Sequence, residues 1–234
     1  MRRISITLIL ILFTSLAWSQ TKETRDVSDF DFIAMNISGK VYISQGNKNE
    51  VIVEADDRDM DKIRTEVRGG RLSISTRDNG RWFKWGDGID GRVNIYITLK
   101  ELRGVSVSGS GDVISQNTIK TDDFEASISG SGDIEVELDA RAIESRITGS
   151  GNIELKGSAQ RARLGISGSG KYFAEELKVD DYNVTISGSG RAAINTNGEL
   201  DVRISGSGSV YYSGNPTGVN TNVSGSGRVR RNNR

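Results

Sequence analysis

Asp112, Asp133 and Asn152 each come directly after a Gly-Ser-Gly tripeptide, in three successive copies of it. If those copies stack as neighbouring coils, the two carboxylates stand about 5 Å apart, near the spacing of the carboxylate pair in a retaining glycosidase. The same pair could hold one cation between them. Later copies place Lys171, Arg191, Ser209 and Arg228 at this position. The row is therefore hydrophilic but chemically variable, as any solvent-facing row must be. Two stacked aspartates also repel each other unless a cation or substrate uses them.

A second cluster lies between Arg77 and Gly91. Arg81, Trp82, Phe83 and Trp85 sit among Asn, Gly and Asp residues typical of exposed turns. Trp and Arg are residue types enriched at binding hot spots. Large aromatics in such a segment either cover the body of the protein or meet a partner. The adjoining Gly86-Asp87-Gly88-Ile89-Asp90-Gly91 fits the dinucleotide fingerprint letter for letter. That fingerprint works only between a strand and a helix, whose N-terminus receives the phosphate, and here a strand pattern follows. Its partial calcium-type Gly-x-Gly-x-Asp match has no neighbouring copies to complete a β-roll.

Histidine and cysteine are both absent. Zinc sites and histidine-dependent triads lose their usual ligands and bases. With neither a disulfide framework nor a thiolate, stability must come from packing and backbone hydrogen bonds. Lys plus Arg equals Asp plus Glu at 31 each, which gives no electrostatic reason to expect nucleic acid. No cofactor and no metal is expected. Residues 230–234, with Arg228 just before them, read as a solvated basic tail.

The elements that must position these residues follow from glycine. There are 28, half of them in seven copies of Gly-Ser-Gly at 109–111, 130–132, 149–151, 168–170, 188–190, 206–208 and 225–227. A fixed period near 20 residues marks a repeat architecture. Apolar residues alternate on either side of each copy, as in Phe124-x-Ala126-x-Ile128 and Ile134-x-Val136-x-Leu138. Period two means strands with one buried face. Counting alternately from Ile128 puts Gly130 and Gly132 inward, at a corner where the cross-section pinches, and Ser129 and Ser131 outward. Those serines fill a tight turn and hydrogen-bond locally, or else present a polar lattice.

One strand pair per coil cannot bury its own apolar face, whereas stacked coils about 4.8 Å apart share a continuous core. The fold class predicted is all-β: a right-handed parallel β-helix, or β-solenoid, of about 20-residue coils with Gly-Ser-Gly corners. Ile128, Ile147, Ile166, Ile186 and Ile204 should form one interior row.

Met1-Arg2-Arg3, the apolar run Ile4–Leu16 and Ala17-Trp18-Ser19 read as a secretory signal peptide over residues 1–19. A short linker over 20–27 precedes a single solenoid domain over 28–229. Its coils are irregular over 28–103 and regular over 104–229. Ile37-Ser38-Gly39-Lys40 reads as a degenerate corner, Gly69-Gly70 as a hairpin turn, and Asp56–Lys62 as one helical turn covering the end of the stack.

Ile37-Ser38-Gly39 near the start, Gln45-Gly46 with Val51-Ile52-Val53-Glu54-Ala55, the Trp-bearing segment, and Leu102 leading into Val107-Ser108-Gly109-Ser110-Gly111-Asp112-Val113 together resemble the head GIN domain family, whose members are described as putative auto-transporter adhesins. The resemblance covers about residues 28–229. It implies a right-handed β-helix on the bacterial envelope, without catalytic residues. The expected function is a non-enzymatic, extracytoplasmic interaction or structural module. Its partner would be an envelope or surface glycan or protein, and a homo-oligomer remains open. After loss of the signal peptide the chain is not expected to span a membrane. The alternative is a carboxylate-dependent, polysaccharide-active β-helix enzyme.

Overall fold

The computed structural model describes residues 20–77, 89 and 91–232. The N-terminal part comprises β1 (Gln20–Arg25), β2 (Phe32–Met35), β3 (Lys40–Gln45), β4 (Glu50–Asp56), the single turn of helix α1 (Asp57–Met60), β5 (Ile63–Arg68), β6 (Arg71–Thr76) and β7 (Asn94–Leu99). β5 and β6 form an antiparallel hairpin closed by Arg68 opposite Arg71. Gly69 and Gly70 have φ of 56° and 76°, the two left-handed residues that a two-residue hairpin turn demands.

The regular coils begin with β8 (Gly104–Gly109) and β9 (Asp112–Ser115). β2 lies between β6 and β8, and β3 between β7 and β9, all parallel. Lys40 stands beside Asp112, so Gly39 holds the place of Gly111 and the degenerate corner is real. β4 then runs antiparallel to β7, and β1 antiparallel to β4.

Residues 20–27 are thus not a plain linker: Gln20–Arg25 is an edge strand. Thr21, Glu23 and Arg25 stand opposite buried Ala55, Val53 and Val51, and of the three only Arg25 is half-buried. A strand without apolar alternation leaves no period-two signal.

The body is a stack of β10 (Ile119–Gly130), β11 (Asp133–Gly149), β12 (Asn152–Gly168), β13 (Lys171–Gly188), β14 (Arg191–Thr196), β15 (Glu199–Gly206), β16 (Ser209–Ser213), β17 (Gly218–Gly225) and β18 (Arg228–Arg231). Every successive pairing is parallel. This is the parallel β-solenoid that the repeat predicts. Met35, Val107, Ile128, Ile147, Ile166, Ile186, Ile204 and Val223 form one row in unbroken register. From Met35 to Ile204 its members are at most 2% exposed. Arg230 and Arg231, assigned to a tail, belong to β18 and pair with Tyr211 and Tyr212.

The corners modify the parity argument. The second glycine, such as Gly132, Gly170 or Gly190, is buried in every copy except the last. The first is half-exposed in the five inner copies and exposed in the outer two, and Gly168 has φ +120°. A Cβ on Gly168 would meet the carbonyl oxygen of Gly149, one coil earlier, at 2.5 Å. Its constraint therefore acts along the stack axis and through the backbone dihedral, not towards the core.

A second corner carries no glycine. Burial alternates on even numbers up to Ala140 and on odd numbers from Ile143. Arg141, the residue between the two registers, is exposed, as is Gln160 one coil on.

Candidate functional site

Alternation places a second set of residues outward, and the parallel register stacks them into ladders. One ladder runs Lys22, Glu54, Asn94, Lys40, Asp112, Asp133, Asn152, Lys171, Arg191, Ser209, Arg228. Asp112 and Asp133 are adjacent in it, as the repeat spacing requires. Each has a partner on its far side. Lys40 Nζ lies 3.4 Å from Asp112 Oδ2, and Asn152 donates to Asp133 Oδ1 at 2.7 Å. Those contacts offset the repulsion of the pair without a cation. Among the described residues no cluster of three or more acidic side chains could hold a metal.

Two residues further along each strand lies a ladder the sequence reading missed: Ile52, Tyr96, Tyr42, Ile114, Glu135, Glu154, Phe173, Ala193, Tyr211. Tyr42 and Tyr96 stack with ring centroids 5.3 Å apart and planes 16° from parallel. The ammonium of Lys22 sits 5.1 Å from the Tyr96 ring centroid, within reach of the negative face of the ring. The Tyr96 hydroxyl donates to Glu54 Oε2 at 2.8 Å, and Asn94 Nδ2 reaches the same oxygen at 3.3 Å. The Tyr96 bond, ahead of the Asn94 and Lys22 contacts, holds the Glu54 carboxyl below its ordinary value. It correspondingly raises the Tyr96 phenol. The available signal was outward placement: Tyr42 lies between buried Val41 and Ile43, and Tyr96 between buried Ile95 and Ile97.

The corner serines form two exposed columns. One is Ser108, Ser129, Thr148, Ser167, Ser187, Ser205 and Ser224, in register throughout. The other holds Ser131, Ser150, Ser169, Ser189 and Ser207. The expected local side-chain bonds are not formed. Instead the backbone N–H of Ser169 donates to Gly149 O at 2.9 Å, and Ser131, Ser150, Ser189 and Ser207 do likewise to the glycine one coil earlier. Coil-to-coil backbone bonding holds the corner, so its hydroxyls remain turned to solvent.

A groove of about 720 Å³ lies where β2 and β6 begin, with Phe32, Arg71, Arg103, Phe124, Glu125 and Arg163 among its lining. The Arg71 guanidinium lies 3.5 Å from the Phe32 ring centroid. Arg103 reaches Asp31 at 3.5 Å.

Arg81, Trp82, Phe83 and Trp85 lie outside the described residues. The segment that carries them leaves and rejoins the body beside α1. Arg77 N donates to Lys62 O at 2.7 Å, and Gly91 N to Asp59 Oδ2 at 2.8 Å. A strand, β7, follows it, so the fingerprint-like glycines lack the helix that phosphate binding needs.

Residues 29–216 match the family described as putative auto-transporter adhesin, head GIN domain. Among solved structures, a putative adhesin of Bacteroides fragilis is similar at a TM-score of 0.84 and 25% identity, covering 92% of this chain and 97% of that one. A putative lipid binding protein of Parabacteroides distasonis matches at a TM-score of 0.74 and 24% identity, over 92% and 98%. A putative adhesin of Parabacteroides merdae matches at 0.70 and 21%, over 92% and 97%. No curated protein matches the chain.

Proposed function

The chain belongs to the head GIN domain family of putative auto-transporter adhesins, and from that premise we propose that it is a non-enzymatic, extracytoplasmic interaction module that holds an envelope or surface glycan on its outer ladders. The observation that carries this reading is the Tyr42–Tyr96 pair. Two phenol rings, half-buried and stacked nearly parallel with centroids 5.3 Å apart, form an aromatic platform whose outer edges meet solvent. Glu54, Asn94, Lys40 and Asp112 line the neighbouring ladder with carboxylates, an amide and an ammonium. A pyranose ring would pack its apolar side against the exposed edges of this pair while its hydroxyls meet the polar row. The rigid solenoid fixes the spacing of both rows in advance, which limits the ordering cost of binding.

The lipid-binding description of one relative fits less well. The groove on this chain is walled by Arg71, Arg103, Glu125 and Arg163, side chains that an acyl chain would have to desolvate. The carboxylate-enzyme alternative rests on Asp112 and Asp133, and both carboxylates are engaged by Lys40 and Asn152.

Titration of the secreted-length chain against envelope polysaccharides tests the proposal. Tyr42→Ala with Tyr96→Ala should abolish binding without loss of strand signal in circular dichroism. Retention of binding in that variant removes the platform. Glycan cleavage that Asp133→Asn abolishes would install the enzyme reading in its place.

A further inference from the structure

The two ends of the solenoid are finished differently. At the N-terminal end, β1 turns Arg25 inward, with its Nη1 2.9 Å from Oε1 of the exposed Glu23 and its Nη2 3.1 Å from Met60 O. Inward-pointing charge on an edge strand stops another strand from adding to it. The C-terminal end has no such device. β17 pairs only with β15, and β18 only with β16, among the described residues. The sequence of β17, Gly-Val-Asn-Thr-Asn-Val-Ser-Gly, has no charge and no proline. Val219 and Val223 continue the interior rows of Leu200 and Ile204. Each is 39% exposed, and they are the exposed large hydrophobics among the described residues, whereas Leu200 and Ile204 are 0% and 2% exposed.

Charge decides what fits there. From Val202 to Arg234 the chain holds no Asp, Glu or Lys, but has Arg203, Arg228, Arg230, Arg231 and Arg234. Arg228 and Arg230 alternate outward on the exposed edge strand β18. A second copy meeting this end to end would set these arginines against their own images. Elsewhere on the outer faces, adjacent coils join opposite charges, as Lys40 joins Asp112 and Lys156 joins Glu135.

We infer that the C-terminal end of the solenoid takes up an extended acidic segment of a partner protein as a further coil, by strand addition to β17 and β18. The main-chain edge supplies the hydrogen bonds, Val219 and Val223 receive the apolar side chains of alternate residues, and Arg228 and Arg230 receive the acidic ones. This site is separate from the tyrosine platform.

The test uses the full secreted-length chain and two synthetic strand peptides with the same alternating valines, one with Glu and one with Lys at the intervening positions. Fluorescence anisotropy should show the Glu peptide binding at least ten-fold tighter than the Lys peptide, with affinity falling as salt rises. Arg228→Glu with Arg230→Glu should reverse that preference. Val219→Lys with Val223→Lys should abolish binding of either peptide at an unchanged Tm. Tyr42→Ala with Tyr96→Ala should leave it intact, which separates this result from the glycan reading. Absence of binding by the Glu peptide overturns the inference. So does a concentration-dependent dimer in sedimentation that the valine variant dissociates, since the occupant would then be a second copy.

Discussion

Tyr172 and Tyr182 face each other across the core of one coil, joined by a 2.8 Å hydrogen bond between their phenolic oxygens and packed edge to face at 6.5 Å. Both rings are at most 2% exposed. Their row neighbours include Ile153 beside Tyr172 and Ala162 and Leu200 beside Tyr182. The large ring of one coil is accommodated where a neighbouring coil supplies a small side chain, Ala192 beside Tyr172 and Ala162 beside Tyr182. Each hydroxyl meets the other, which is how a polar atom is tolerated at that depth.

Burial pushes both phenols up, Tyr182 well above the ordinary value of 10.0. Below about pH 10 both phenols are neutral, folded or unfolded, and stability is independent of them. Above it the unfolded chain releases protons that the folded chain retains, so stability falls as pH rises. Urea unfolding followed from pH 8 to 11 should show that loss. The double variant Tyr172→Phe, Tyr182→Phe should lose less stability over the same range. Tyr172→Phe alone strands the Tyr182 hydroxyl and should cost about 1–3 kcal/mol at neutral pH.

At the corners, the first glycine should prove far less tolerant than the serine that follows it. Gly168→Val brings a branched side chain to φ +120° and onto the Gly149 carbonyl. We expect a loss of more than about 2 kcal/mol in denaturant unfolding. Ser169→Ala removes a hydroxyl that has no protein partner and leaves the backbone bond to Gly149 in place, so it should cost less than about 1 kcal/mol. The reverse order would show that the serine hydroxyls, not the coil-to-coil backbone bonds, hold the corner.

Glu54 offers a spectroscopic check on the platform. Its carboxyl is lowered first by the Tyr96 hydroxyl. A lowered carboxylate contributes stability that is present above its unfolded value of about 4.5 and is lost as pH falls through the folded one. Tyr96→Phe should move the Glu54 titration upward in carbon-detected NMR and weaken the acid dependence of stability. An unmoved titration would mean that Lys22 and Asn94 suffice to hold it.

Much of the fold was legible because two periods coincide in the sequence: the corner tripeptide near every twentieth residue and apolar residues at every second. Together they fix the register, and Ile128, Ile147 and Ile166 stack as that register demands. The second corner was hidden because the bend at Arg141 is made by a parity change between Ala140 and Ile143, with no glycine to mark it. β1 was hidden because Thr21, Glu23 and Arg25 are polar. Asp112, Asp133 and Asn152 could be placed on one row, but Lys40, the partner of Asp112, comes from the irregular N-terminal coils. The Tyr42–Tyr96 pair depends on β3 lying beside β7, a long-range parallel pairing that local pattern does not specify.

The Trp-bearing segment is tied down at both ends, and one residue controls the tie at its C-terminal end. Asp59 is buried, its side chain 5% exposed, and its carboxylate accepts from Lys62 Nζ at 2.9 Å and from Gly91 N at 2.8 Å. Bonds to a buried charged group contribute about 1.5–3 kcal/mol each. Asp59→Ala should release the Gly91 end while Arg77 stays bonded to Lys62. Of the three tryptophans, Trp18 precedes Gln20, so in a chain starting at Gln20 only Trp82 and Trp85 emit. With both ends held against the body, emission should be blue-shifted and poorly quenched by iodide. Asp59→Ala should shift it red, and Trp82→Ala or Trp85→Ala should lower the Tm. That outcome would identify the segment as a cover. Red-shifted, readily quenched emission in the parent chain that moves on adding envelope glycan would overturn that expectation and make Arg81, Trp82, Phe83 and Trp85 a contact surface.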